Sequence, residues 1–144
     1  MFKLLASIGK LISWLRASPP IDEADEPFRF TPELVSQAEQ GDAVAQTMLA
    51  TAYHEGLGVK RDPESAYRWF RAAADQGHAG AAAIVAVSYD LGIVVERDPV
   101  MASYWAARSK AAGNQLGDAL FVSCVEKLND DERARLKELL TQSA

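Results

Sequence analysis

Gly41–Gln76 reads GDAVAQTMLATAYHEGLGVKRDPESAYRWFRAAADQ, and Gly77–Ala112 reads GHAGAAAIVAVSYDLGIVVERDPVMASYWAARSKAA. Laid over each other, the two stretches pair Ala45 with Ala81, Ala50 with Ala86, Tyr53 with Tyr89, Gly56 with Gly92 and Trp69 with Trp105. Arg61-Asp62-Pro63 falls on Arg97-Asp98-Pro99, and Gly41, Gly77 and Gly113 stand 36 residues apart. A period in the thirties with helical patterning inside each copy specifies helix pairs that bury their apolar faces by stacking on one another. The predicted fold is all-α: a short right-handed α-solenoid of about two and a half helix-turn-helix repeats.

Working outward, each unit follows one grammar. A first helix begins at Asp42 and stops at Gly56, where the chain needs the left-handed conformation. Asp62-Pro63 supplies an N-cap and a first-turn proline for a second helix that runs to Gly77. The next copy repeats this with Gly92, Asp98-Pro99 and Gly113. A partial unit, Pro32–Gln40 with Thr31 as its cap, leads in, and a fading third copy starts at Gly113, with a helix from about Gln115 to Leu128. Asn129 and Glu132 have capping-box spacing ahead of a last helix, Asp131–Gln142, whose Leu136, Leu139 and Leu140 share one side. The predicted segments are 1–17, an amphipathic helix; 18–30, an acidic linker containing Pro19 and Pro20; 31–128, the solenoid; and 129–144, a capping helix that closes its end.

The first segment differs from the rest in charge. Residues 1–17 hold Lys3, Lys10 and Arg16 and no acid, whereas 18–40 hold six acids against Arg29 alone. Leu4, Ile8, Leu11 and Leu15 form a helical stripe widened by Leu5 and Ile12, with Trp14 on another face. The stretch is shorter than the ~20 apolar residues a spanning helix needs. As a secretory signal it is poor, because Lys10 splits the apolar run and Leu15 sits where a small residue is preferred. A transit peptide is a further possibility, since the stretch is acid-free with serines, but it is not arginine-rich. The reading is a basic amphipathic helix that lies on a membrane surface, docks on a membrane protein, or packs on a soluble partner or back onto the solenoid.

The net charge of -5 gives no basic footprint for nucleic acid. One cysteine, Cys124, makes no internal disulfide; it reads as a small buried helix residue and fits a reducing compartment, although one cysteine is also tolerated outside, and the expected location is cytoplasmic with peripheral membrane attachment through residues 1–17.

These residues carry a resemblance. Ala45, Leu49, Tyr53, Gly56, Gly58, Val59, Asp62, Ala66, Trp69, Ala73, Ala74 and Gly77 follow the pattern of the Sel-1-like repeat family, helix-pair solenoids related to tetratricopeptide repeats. The second copy keeps Ala81, Tyr89, Gly92, Val95, Asp98, Ala102, Trp105 and Gly113, and departs at Val94, in place of the loop's second glycine, and at Lys110. The resemblance covers about Thr31 to Leu128. It implies an adaptor that holds partner proteins on a curved surface, without naming the partner.

Residues that recur with the repeat, including Tyr53, Tyr89, Trp69 and Trp105, are assigned to the core, and function is expected where the copies differ. Opposite the recurring face of the first helices lie Val44, Thr47, Met48, Thr51 and His54, then Ala83, Ile84, Val87, Asp90 and Leu91, then Leu120 and Ser123. Ala79–Leu91 is apolar nearly all round, so either the repeats or something else covers it. The candidate groove would receive a helix or extended segment of a protein partner.

Catalysis and cofactors are not expected. His54 and His78 stand at a helix end and a helix start without ligand companions, and Asp62 and Asp98 are caps in phase. Asp130-Asp131-Glu132 lacks the glycine and spacing of a calcium loop. The expected function is a non-enzymatic adaptor; the alternatives are an accessory structural subunit of a larger assembly and an inhibitor or immunity-type binding protein.

Overall fold

The computed structural model describes residues 29–143, and among these it contains seven α-helices and no strands. They are α1 Pro32–Glu39, α2 Ala43–Glu55, α3 Pro63–Asp75, α4 Ala79–Leu91, α5 Pro99–Ala111, α6 Gln115–Glu126 and α7 Asp130–Gln142. The expected amphipathic helix 1–17 and most of the linker lie outside the described residues.

Thr31, Asp62, Asp98 and Asn129 cap their helices as the sequence announces, while Asp42, His78 and Asn114 cap the first helices of the units at positions not expected as caps. Thr31 Oγ1 accepts from the Leu34 amide at 3.1 Å, and Pro32 follows it. Asp62 accepts from Glu64 and Ser65, and Asp98 from Val100 and Met101. These hydrogen bonds, with that from the Ser65 hydroxyl first among them, hold the Asp62 carboxyl below its usual range. His78 caps α4 through Nδ1, which accepts from the Ala81 amide at 3.2 Å. Asn129 and Glu132 complete the capping box, so α7 begins one residue before the expected position.

α2 and α4 end on Gly56 and Gly92, both left-handed. In the first loop Gly58 has φ +72, and Arg29 packs so close that a Cβ there would lie 2.9 Å from its Cγ. The second loop departs in composition only: Val94 takes φ +68, the same left-handed turn, with a β-branched side chain that disfavours it.

Packing alternates along the chain. Second helices of one unit lie between first helices of two units: α3 touches α2 and α4, and α5 touches α4 and α6. The main core gathers Ala50, Phe70, Ala73, Val85 and Trp105, and a smaller one under α1 gathers Leu34, Ala38, Ala45 and Leu49. The alanines let helices approach; the aromatics fill the space between units. Trp105 is 1% exposed, with the guanidiniums of Arg71 and Arg108 at 4.6 and 4.8 Å from its ring. Tyr53, Tyr89 and Trp69 are half-buried and pack against the same cores, as the repeat argument requires.

The third unit breaks the pattern. The second helices start at Pro63, Pro99 and Asp130, so the spacing falls from 36 to 31. Seven loop residues, Gly56–Asp62 and Gly92–Asp98, shrink to three, Lys127–Asn129. α7 consequently packs mainly on α5, through Leu136 against Val100 and with Tyr104 and Leu139 nearby, rather than lying along α6 as α3 lies along α2. The expectation that α7 closes the end of the solenoid is therefore met on the α5 side and not along α6.

Candidate functional site

The first helices of the units, α2, α4 and α6, share a face because they are in phase. Positions 44, 80 and 116, then 48, 84 and 120, then 51, 87 and 123, fall at equivalent points of the three helices. Val44, Ile84, Leu91 and Leu116 lie on this face and are between 39% and 62% exposed. Met48, Val87 and Leu120 are half-buried beside them. The other exposed large apolar residues among those described, Ile93, Val94 and Val122, lie on the α4–α5 loop and on α6. None lies on α1, α3, α5 or α7.

Local hydrogen bonding makes the face more apolar than its composition. Thr47 Oγ1 donates to the Ala43 carbonyl and Thr51 Oγ1 to the Thr47 carbonyl, each at 2.9 Å. With the hydroxyls used inside α2, these threonines offer their methyl groups outward. One edge is charged: Lys127 Nζ donates to both oxygens of Asp90, at 3.1 and 3.0 Å, and His54 stands 3.5 Å from Glu55. Behind the face, burial first and the Asp90 charge second push the Cys124 thiol up; it is inert and buried, as expected of a lone helix cysteine.

The sequence-derived residues divide. Val44, Met48, Ile84, Val87, Leu91 and Leu120 form the apolar strip; Thr47 and Thr51 border it, and His54 and Ser123 are exposed polar neighbours. Ala83 does not belong to an open groove, because it is only 1% exposed. α6 packs on that side of α4 and ties to it through Lys127 and Asp90, so the repeats themselves cover part of the all-apolar helix. What stays open on α4 is the strip of Ile84, Val87 and Leu91. Leu116, in phase with Val44, completes the strip on α6, and its repeat position identifies it. Ile93 and Val94 carry no such signal, since their exposure depends on how the loop turns.

No group of three or more His, Cys, Asp or Glu side chains among the described residues could hold a metal ion. No described helix is long and apolar enough to cross a membrane. What the face offers chemically is apolar contact with a charged border.

The comparisons agree with this architecture. The Sel1 repeat family matches residues 43–78 and 79–114. No match was found among curated proteins. Among solved structures, c5321, a protective antigen present in uropathogenic Escherichia coli strains displaying an SLR fold, is 32% identical over 76% of this chain and 24% of its own, with a TM-score of 0.70. A Sel1 repeat protein from Oxalobacter formigenes is 31% identical over 61% of this chain and 36% of its own, with a TM-score of 0.59. The chain thus corresponds to well under half of those two proteins' length. Two matched repeats, in phase with the helix pairs and the capped loops seen here, establish that the chain belongs to the Sel1 repeat family.

Proposed function

We propose that this chain is a non-enzymatic adaptor whose α2–α4–α6 face holds a helix or extended segment of a partner protein, and that residues 1–17 bring it to a membrane surface or membrane complex. Sel1 repeats generally mediate protein–protein interactions. The observation that carries the specific reading is the strip itself: Val44, Ile84, Leu91 and Leu116 are exposed on one face of in-phase helices, while α1, α3, α5 and α7 expose no large apolar residue. Helix-in-groove recognition uses a strip of this kind, with apolar anchors one turn apart meeting side chains from parallel helices. Spread over three in-phase helices, the strip suits a helix of a few turns better than a flat domain surface.

The N-terminal part of the proposal rests on the acid-free stripe of Leu4, Ile8, Leu11 and Leu15 with Lys3, Lys10 and Arg16. Basic residues beside an apolar stripe favour an anionic membrane surface.

The test is copurification from detergent-solubilised cells of the tagged full chain, of a chain lacking residues 1–17, and of Ile84→Glu and Leu116→Glu. Both substituted side chains are exposed, so the variants should fold with unchanged helicity by circular dichroism. Loss of the same partner from both charge variants, with retention on N-terminal deletion, is the expected result. Retention by both charge variants would refute the groove, and unchanged membrane fractionation of the truncated chain would refute the anchor.

A further inference from the structure

The third unit leaves open a surface that the first two units cover with a helix. On α6 that surface is the stripe Asp118, Phe121, Val122 and Val125. The same stripe on α2 is Gln46, Leu49, Ala50 and Tyr53, and on α4 it is Ala82, Val85, Ala86 and Tyr89. In those units the second helix of the pair, α3 or α5, packs over the Ala50 or Ala86 side of it, while Gln46 and Leu49 face the preceding α1. The result is visible position by position: Ala50 and Ala86 are 0% exposed, and Val122 is 52% exposed. The Asp118 end of the stripe turns instead to the preceding α5, where Asp118 pairs with Lys110 and the Lys110 ammonium stands 5.5 Å from the Phe121 ring.

The cause is the shortened loop. Because only three residues separate α6 from α7, α7 is drawn onto α5 and meets α6 around its last turns. Between the two helices lies a crevice of about 540 Å³, lined by Phe121, Val125, Leu136 and Leu140 and bordered by Arg133 and Lys137 of α7. The floor is apolar and the α7 border carries two positive charges.

We propose that this crevice is a second docking seat, separate from the α2–α4–α6 face, and that its occupant is an amphipathic helix of a partner protein flanked by acidic residues. That the occupant is a helix follows from the internal template, since the equivalent stripes on α2 and α4 each receive one of 13 residues, α3 and α5. That it is acidic follows from Arg133 and Lys137, whose cationic heads border the apolar floor and would meet the flank of any helix lying in it. The basic segment 1–17, with Lys3, Lys10 and Arg16, has the wrong charge for this seat and the right stripe for others. The seat does not depend on the groove reading above, and the two are tested by different substitutions.

The probe is a fluorescein-labelled peptide of 13 residues, the length of α3 and α5, stapled into a helix. Its leucines are spaced three and four residues apart and glutamates flank them; a twin carries lysines instead. Anisotropy is read with the full chain. The expected result is saturable binding of the glutamate peptide, with the lysine twin weaker on the order of tenfold or more. Arg133→Glu with Lys137→Glu should invert that preference. Val122→Glu, at an exposed position that need not disturb folding, should abolish binding, and Ile84→Glu should leave it unchanged. Equal binding of the two peptides, binding of neither, or loss through Ile84→Glu but not Val122→Glu would overturn the proposal. A concentration-dependent dimer in sedimentation that Val122→Glu converts to monomer would also overturn it, by making a second copy the occupant.

Discussion

Adding one methyl group at Gly117 should destabilise the solenoid, although an exposed helical glycine normally gains from the same change. Gly117 lies in the first turn of α6 and stands in phase with Ala45 and Ala81, where alanine is accommodated. At Gly117 a Cβ would fall 2.6 Å from the Lys110 nitrogen and 2.6 Å from Ser109 Cβ, and still closer to Ser109 Oγ. Two of these neighbours cannot simply rotate away. The Lys110 nitrogen is backbone, and the Ser109 hydroxyl is held by its 2.8 Å hydrogen bond to the Ala79 carbonyl. α5 and α6 must therefore separate by about an ångström to restore contacts near 3.5 Å. Replacing helical glycine by alanine is worth ~1 kcal/mol in propensity, whereas overpacking a tight contact costs ~1–3 kcal/mol. The second effect wins here because the clash is with backbone, leaving a net loss of ~1 kcal/mol and a melting temperature lower by roughly 4 °C. Gly80→Ala is the internal control. A Cβ there would meet only the His78 imidazole at 3.5 Å, an ordinary contact, so this variant should gain ~0.5 kcal/mol. Thermal and urea unfolding of both variants tests the argument. If Gly117→Ala raises stability as Gly80→Ala does, the close α5–α6 approach is not a constraint and the reasoning fails.

Three further outcomes follow from individual residues. Asp98→Ala removes the acceptor for the Val100 and Met101 amides and should cost ~1 kcal/mol, read as a lower urea midpoint with an unchanged slope. Val94→Gly should stabilise by up to ~1 kcal/mol by relieving a β-branched residue at φ +68, and an unchanged or lower midpoint would refute the strain. Tyr67→Phe should be near neutral at pH 7, because the buried Tyr67 hydroxyl makes no well-aligned hydrogen bond, although Tyr89 and Arg71 stand beside it. Burial, then the neighbouring Tyr89, pushes that phenol up from 10.0 to about 12. Its ionised form is therefore disfavoured in the fold, so this contribution is intact below pH 10.0 and lost as pH rises towards 12. Wild type should lose stability relative to Tyr67→Phe across that alkaline window, and parallel curves would refute the assignment.

Much of the architecture was legible because its causes are local. Thr31, Asp62, Asp98 and Asn129 cap helices through side chains that reach no further than three residues along the chain. Gly56 and Gly92 end helices because a residue without Cβ takes the left-handed turn at no steric cost. The 36-residue period places Ala50 on Ala86 and Trp69 on Trp105, and repeated burial in neighbouring helix pairs turns that register into a solenoid. Even the strip of Val44, Ile84 and Leu91 was readable, since one helix's angular positions follow from residue spacing alone.

What the spacing could not supply is which angular sector of each helix its neighbours occupy. Ala83 and Ile84 are adjacent in sequence and both apolar, yet the smaller is 1% exposed on the α6 side and the larger is 39% exposed. That difference depends on the distance between helices that are far apart along the chain. The α6–α7 crevice is the same kind of fact. Three loop residues in place of seven are visible in the sequence once the helix starts are known, but their effect is a rigid displacement of α7 onto α5. By itself the sequence determined the helices, their caps and their repeating register, because these are set by contacts within a few residues. Only the tertiary structure decided which apolar stripes were covered, because a stripe is buried or open according to where the next helix comes to rest.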